Sequence, residues 1–315
     1  MDPTNSHSSS LRRNVRRAAF GTLALAVVAL LATGIVYRRQ IVSLLTHWKG
    51  GPSSRWVFVP HSPSPSVRIA VVGDTGDSGS HLDAIARAMD ALGVSDPYDA
   101  LLLLGDNVYP NGNPDRLPET VFGPFGPTLG RGASLHAILG NHDVSAGFGE
   151  AQMAALGQPG RWWSVRLGDV LVVGLDSNDL DDPDQLEFLD EALRSTDARW
   201  RIVALHHPPY SAGYQGSSQR TREFIAPIAA RHGVQLVLSG HDHDYQRSIP
   251  IDGVIYVVSG AGSGSRRTSD EWFTDESWAE MHFLDLATVG DRLVIRAVDR
   301  DGLVFDEFSI DAPTP

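Results

Sequence analysis

Five short segments of the 315-residue chain carry side chains of the kind that hold metal ions, each directly after an apolar run. They are GDTG (Gly73–Gly76), GDNVY (Gly105–Tyr109), GNHD (Gly140–Asp143), HHPP (His206–Pro209) and GHDH (Gly240–His243). Asp, Asn and His offer oxygen and imidazole donors, and Tyr109 adds a phenol three residues after Asp106. The chain has no cysteine, so thiolate ligands, disulfides and cysteine nucleophiles are excluded. Taken singly, a GD is usually a turn and an HH a surface pair. Turn chemistry does not require five such tips to recur in one chain, and their recurrence marks a metal site.

The elements that would position them can be read around each tip. VRIAVVGD, DALLLLGDN, SLHAILGNHD, WRIVALHHPP and VQLVLSGHDHDYQRS read as buried strands that run out into polar loops. Between them, SHLDAIARAMDALG predicts a helix with Ser80 and Asp83 as a capping-box pair and Leu82, Ile85 and Met89 on one face. DDPDQLEFLDEAL predicts a second, capped by Asp182 with Pro183 in its first turn, and REFIAPIAARHG a third despite Pro227. VIYVVSGAGS and the final MHFLDLATVGDRLVIRAVDRDGLVFDEFSI read as strands joined by GD and DG turns. Strand-helix alternation together with hairpins predicts an α/β fold with mixed sheets. In such folds the strand C-termini converge on one rim, which brings the five tips into one crevice. The glycines before Asp74, Asp106, Asn141 and His241 allow a tight exit and close backbone approach to a bound group. His206 and His207, if on an extended strand, would face opposite sides, so that one of the two reaches the metal.

The ordered set GD, GD, GNH, H and GHxH resembles the calcineurin-like metallophosphoesterase superfamily, over about Val67 to Gly262. The resemblance implies a four-layer αββα sandwich of two mixed β-sheets, with two metal ions bridged by Asp106. Many phosphodiesterase members have a histidine two residues after the first Asp, where this chain has Gly76. One branch, the purple acid phosphatases, lacks that histidine and places a tyrosine three residues after the bridging aspartate, as Tyr109 is placed here. GDTGDSG, GDNVYPNG, LGNHD, ALHHPP, SGHDHDYQ and VSGAGS are most similar to the small tartrate-resistant (type 5) members. By this resemblance Fe(III) takes Asp74, Asp106, Tyr109 and His243, and a divalent ion (Fe, Zn or Mn) takes Asp106, Asn141, His206 and His241. Hard trivalent iron suits carboxylate and phenolate, and the divalent partner suits imidazole and amide.

The implied activity is hydrolysis of small phosphomonoesters by in-line attack of a metal-bound hydroxide. Asp106 and His142 are the implied catalytic residues, and Asn141, His142 and His207 contact the substrate. Gln219 stands where the small purple phosphatases often have a substrate-side histidine, and Asp77, Arg220 and Tyr245 are further candidates for contact. A phosphodiesterase or nucleotidase on the same metals, or a metal-retaining module that binds phosphate or tethers a partner, are the alternatives.

The N-terminal part is a separate object. Residues 1–17 form a basic tail, and 18–37 (Ala18 to Tyr37) hold no charge and are long enough to span a bilayer. The expectation is a single-pass anchor with the catalytic domain extracytoplasmic; a cleaved signal segment and a secreted form is the alternative. Residues 38–66 read as a juxtamembrane and Pro/Ser linker before a catalytic domain at 67–312. Residues 1–49 hold seven basic side chains and one acidic, so the whole-chain charge of −12 becomes −18 beyond residue 49. An acidic domain excludes a broad nucleic-acid footprint.

Overall fold

The structure, a computed structural model, describes residues 49–312. The basic tail and the span expected over 18–37 lie outside them. Among the described residues no helix is long and apolar enough to cross a membrane. The described residues all fall in one compact unit.

The strands are β1 (Trp56–Val57), β2 (Arg68–Val72), β3 (Ala100–Leu103), β4 (Ser134–Ala137), β5 (Trp163–Leu167), β6 (Val170–Gly174), β7 (Trp200–Ala204), β8 (Leu236–Ser239), β9 (Tyr245–Ser248), β10 (Ile255–Ser259), β11 (Thr274–Trp278), β12 (His282–Val289), β13 (Arg292–Asp299) and β14 (Leu303–Asp311). The α-helices are α1 (Ser80–Leu92), α2 (Gly123–Gly130), α3 (Asn141–Val144), α4 (Gly149–Ala155), α5 (Pro183–Arg194), α6 (Gln219–Phe224) and α7 (Ala226–Arg231). They build two seven-stranded sheets, ordered β1-β14-β13-β12-β2-β3-β4 and β11-β9-β10-β8-β7-β6-β5. Both are mixed: β2, β3 and β4 run parallel beside an antiparallel β12–β13–β14 meander, and β6, β7, β8 and β10 run parallel between antiparallel edges.

Period-two side-chain alternation explains why these strands are apolar on both faces. Ile69, Val71, Leu102, Ile202, Ala204, Leu236 and Leu238 fill the core between the sheets. The intervening Ala70, Val72, Leu101 and Leu103 pack with Leu82, Ile85 and Met89 of α1. On the second sheet Leu171, Val173, Val203 and Val237 pack with Leu189 and Leu193 of α5 and Ala229 of α7. The layers therefore follow as helix, sheet, sheet, helix.

Two local expectations change. Ser80 does not cap α1: Gly79 is the N-cap with φ 143°, no side chain caps the helix, and Asp83 donates its N–H to the Gly79 carbonyl. A backbone turn that glycine alone takes comfortably makes the capping box unnecessary. The helix expected through Pro227 is two short ones meeting at Ile225, with Pro227 in the first turn of α7, where its missing N–H costs nothing. Asp182 does cap α5, accepting from the Asp184 N–H.

The linker expected over 38–66 is not a free spacer in its described part. Trp56 and Val57 pair with Val304 and Leu303 as an edge strand. Arg55 bonds Asp299 at 2.8 Å, and the buried His61 and Arg68 both bond Asp285, at 2.8 and 2.6 Å. Lys49 bridges to Thr268 and pairs with Asp270 at 2.8 Å.

Candidate metal centre

The five tips meet where the two sheets' strand ends abut. Gly73, after β2, donates its N–H to the Ser259 carbonyl at the end of β10, and His206, after β7, bonds through Nδ1 to the Leu104 carbonyl after β3, at 2.8 Å. Three of the expected ligands leave their strands in the left-handed region: Asp74 (φ 58°), Asp106 (φ 52°) and His241 (φ 72°). This conformation costs a non-glycine residue about 1–3 kcal/mol and recurs at functional sites, and Asp and His tolerate it better than most. It turns each side chain sharply off its strand into the shared crevice.

Two donor groups form there. In the first, the Tyr109 hydroxyl lies 3.1 Å from Asp74 Oδ1 and 3.0 Å from His243 Nε2, and His243 Nε2 lies 3.3 Å from the same Asp74 oxygen. In the second, His206 Nε2 lies 3.2 Å from Asn141 Oδ1 and 3.5 Å from Asp106 Oδ1, and the His241 ring is 5.1 Å from that of His206. Donor atoms of Asp74, Asp106 and His206 all lie within 4.8 Å of one another, as do those of His206, His207 and His241. All the expected ligands are thus brought to one place.

These residues fit cations. Asp74 and Asp106 are 0% and 2% exposed, and the ion-pair partners the structure gives them are imidazoles, His243 and His206. Buried carboxylates this close need positive charge between them. Burial alone would lower His206, but the carboxylates of Asp106 and Asp74 outweigh it and raise it to about 10. The same field that draws a proton there would draw a metal ion. Burial, reinforced by Asp74 and Asp106, pushes the Tyr109 phenol far above its usual range, so a phenolate at this position requires a cation. His241 is held down to about 2 by burial and then by His206 and His207, which keeps a lone pair free.

Loop packing explains Gly76. A Cβ there would stand 2.6 Å from the Tyr109 nitrogen and 2.9 Å from the Asp106 carbonyl oxygen, and the Gly76 carbonyl accepts the Tyr109 N–H at 3.0 Å. The glycine and the tyrosine are one arrangement: the ligand loop lies on the space a side chain would fill. Gly76→Ala should therefore lower stability by about 1–3 kcal/mol and reduce bound metal. Thermal melts and metal analysis check this, and an unchanged melt with full metal content would refute it.

The structure corrects the expectation for the paired histidines. β7 ends at Ala204, so alternation no longer governs residues 206 and 207. Both rings fall in the group with His241, and His207 shares a hydrogen bond between Nδ1 and Ser177 Oγ at 2.8 Å. His206 is fully buried against Asn141 and Asp106, whereas His207 is half-buried and has one ring nitrogen committed to Ser177. His206→Ala is expected to weaken metal binding at this second donor group by more than about 100-fold, and His207→Ala by about 10-fold or less. Metal content after dialysis measures both, and equal losses would overturn the ranking.

A cavity of about 410 Å³ opens over the centre, lined among others by Asp106, Tyr109, Asn141, His142, His241 and His243. His142 donates its backbone N–H to Asp106 Oδ1 at 2.9 Å, and its Nδ1 bonds the Pro110 carbonyl at 2.8 Å. Of the further candidates, Asp77 lines the cavity. Arg220 instead pairs with Asp181 on the surface, Tyr245 is buried against Asp306, and Gln219 turns to Glu223. The loop's contribution to the cavity is Gln215, whose N–H is held by the buried Asp242 at 2.7 Å. The quoted VSGAGS ends at Ser263, which also lines it, but sequence reasoning did not single out Ser265 and Arg266 just beyond, although their stretch follows the polar end of a strand as the ligands do. Nor did it weigh Asp143. This carboxylate accepts from the N–H groups of Asn107 and Gly140, at 3.0 and 2.8 Å, and from Gln152, tying two ligand loops together. Burial and the nearby Asp106 raise Asp143 to about 6, against those N–H donors, which lower it.

The family described as Calcineurin-like phosphoesterase matches residues 67–245. "Purple acid phosphatase 17" of Arabidopsis thaliana is 30% identical over 243 residues, spanning 66% of this chain and 72% of that protein. "Tartrate-resistant acid phosphatase type 5" of Mus musculus is 27% identical over 247 residues, 64% of this chain and 74% of that protein. Among solved structures, "GAP50 the anchor in the inner membrane complex of Plasmodium" superimposes with a TM-score of 0.70 at 16% identity, over 79% of this chain and 89% of that one, a likeness of fold.

Proposed function

The chain belongs to the calcineurin-like phosphoesterase family, as a hydrolase of phosphoric ester bonds similar to the purple acid phosphatases, and we propose that it hydrolyses small phosphomonoesters at a binuclear metal centre. The observation that carries this reading is the pair of donor groups, Asp74, Tyr109 and His243 in one and Asn141, His206 and His241 in the other, with Asp106 within 4.8 Å of donor atoms of both Asp74 and His206. We assign Fe(III) to the first group, which has the phenol, and a divalent Fe, Zn or Mn to the second. When bound, two such ions supply Lewis acidity that activates water and neutralises charge on the phosphoryl group.

The chain's own residues do the rest. Asp106 serves both groups, and its orientation is held by the His142 N–H. Because the Pro110 carbonyl can only accept, the His142 ring carries its fixed proton on Nδ1. Nε2 is then the atom that gains or loses a proton, on a residue that lines the cavity, which suits His142 to protonate a leaving-group oxygen. Asn141 contributes a side-chain oxygen to the second group and also lines the cavity, where it can meet a phosphoryl oxygen.

The fold likeness to an anchor protein raises a second reading, a metal-retaining module without turnover, because a fold does not by itself carry an activity. The complete donor set favours the enzyme. Metal-loaded protein tested on an aryl phosphate and the matching diester, with metal analysis, separates the readings. Faster monoester turnover with two metals per chain supports the proposal, faster diester turnover supports a phosphodiesterase, and metal without turnover supports the module. The uncharged stretch 18–37 supports a single-pass anchor, and the tighter basic cluster before it, Arg12, Arg13, Arg16 and Arg17, supports this domain lying on the extracytoplasmic side. Recovery of full-length protein in the soluble fraction would overturn that placement.

A further inference from the structure

Arg266 stands apart from the other residues around the cavity. Among the described residues that line it, Arg266 is the one guanidinium or ammonium group. Its side chain is exposed, whereas Asp106 on the cavity floor is 2% exposed, so the cation lies toward the mouth and the donor groups toward the base. No carboxylate among the described residues pairs with it. The loop that carries it is nevertheless held firmly. Gly262 donates its N–H to the Gly73 carbonyl at 3.0 Å, Ser263 Oγ donates to the Asp74 carbonyl at 2.6 Å, and Arg266 donates its N–H to the His243 carbonyl at 2.6 Å. Farther along, Ser269 Oγ donates to the Ala212 carbonyl at 2.7 Å and Lys49 pairs with Asp270. Two of these bonds end on the carbonyls of Asp74 and His243 themselves. An unpaired cation is thus set at a fixed offset from the candidate metal centre.

We propose that Arg266 forms a leaving-group subsite that binds a second anionic group, a carboxylate or phosphate, on the substrate. This deepens the phosphomonoesterase reading and rests on it for the direction in which the substrate enters. A phosphoryl group held at the floor points its ester substituent toward the mouth, where Arg266 stands. Arginine suits this role because its planar fork matches the two oxygens of a carboxylate or phosphate. The exposed Asp77, also on the cavity wall, repels a second anion placed on its side, which directs such a group toward Arg266.

Binding of phenylphosphonate and para-carboxyphenylphosphonate to metal-loaded full-length protein tests the proposal without requiring turnover. The two ligands share the phosphoryl end and differ by one carboxylate at the far end. Wild-type protein should bind the carboxylated ligand about five-fold or more tightly than the plain one, the range of a charge-assisted contact at a partly exposed site. Arg266→Gln should abolish the preference and leave phenylphosphonate affinity within about two-fold, and Arg266→Lys should keep part of it. The proposal fails if wild type shows no preference or binds neither ligand. It also fails if Arg266→Gln keeps the preference, or weakens both ligands equally, which would put the guanidinium on the phosphoryl group. Hydrolysis of phenyl phosphate is scored separately: its absence would remove the phosphomonoesterase reading, while the phosphonate preference would still be judged on its own numbers.

Discussion

Asp106→Ala is expected to strip both metals from the centre and to reduce turnover of an aryl phosphate by on the order of 10⁴-fold. Asp106 lies in reach of His206 at 3.5 Å, takes the His142 N–H at 2.9 Å, and belongs with Asp74 and His206 to one set of mutually close donors. Removing its carboxylate takes an oxygen from both groups and leaves His206 without its nearest counter-charge. The carboxyl is held well below its usual range: burial opposes ionisation, but His206 outweighs it and the His142 N–H adds to the effect. It is therefore a carboxylate, not a carboxylic acid, in the folded protein. Alanine also suits the left-handed backbone at φ 52° less well than aspartate, so stability will fall for a second reason. Asp106→Asn separates the two effects, since it keeps the shape and tolerates that backbone but removes the charge. Loss of metal and turnover in a well-folded Asp106→Asn protein is the expected result. If Asp106→Asn retains two metals and more than about a tenth of the activity, the bridging role is wrong.

How much of this was legible in the sequence depends on the range of the interactions involved. The strands ending at Asp74, Asp106, Asn141, His206 and His241 were readable because apolar runs and polar tips are local patterns, and the parallel arrangement of β2–β3–β4 and β6–β7–β8 puts such tips on one side. Where a strand stops was not readable: His206 and His207 lie just past β7, so an argument from alternation misjudged where the second ring points. The docking of Trp56 and Val57 on β14 depends on partners almost 250 residues away in sequence, and no local signal separates an edge strand there from a spacer. The cavity wall follows the same rule. Gln215 reaches it because Asp242, from a different strand end, holds its backbone, whereas Gln219 is taken up by the helix α6 and its own neighbour Glu223. Arg266 was hidden because nothing around it resembles a ligand motif; its place is set by bonds to the carbonyls of residues that do.

Tyr109→Phe should abolish the visible colour of the oxidised, iron-loaded protein while leaving the second metal and most of the fold in place. A phenolate bound to Fe(III) gives an intense charge-transfer band, and neither Asp74 nor His243 can supply that chromophore. The hydroxyl lies 3.0 Å from His243 Nε2 and 3.1 Å from Asp74 Oδ1, so phenylalanine removes the oxygen at the centre of the first donor group. The ring keeps its edge contact with His142 at 4.7 Å and its stacking on His243, which is why the loop should hold. The second group contains no atom of Tyr109, so its metal should persist. The phenol's own ionisation sharpens the test. Burial and the two carboxylates raise the phenol, and an uncoordinated phenol or phenolate absorbs only in the ultraviolet, so a visible band reports metal coordination. The colour should accordingly vanish when iron is chelated from wild type and return when iron is restored. A colourless oxidised wild type that contains iron, or a Tyr109→Phe protein with an unchanged band, would remove Tyr109 from the ligand set. Gly76 would then be explained by the packing of the 106–109 loop alone, since a Cβ at that position meets its backbone whatever the tyrosine binds.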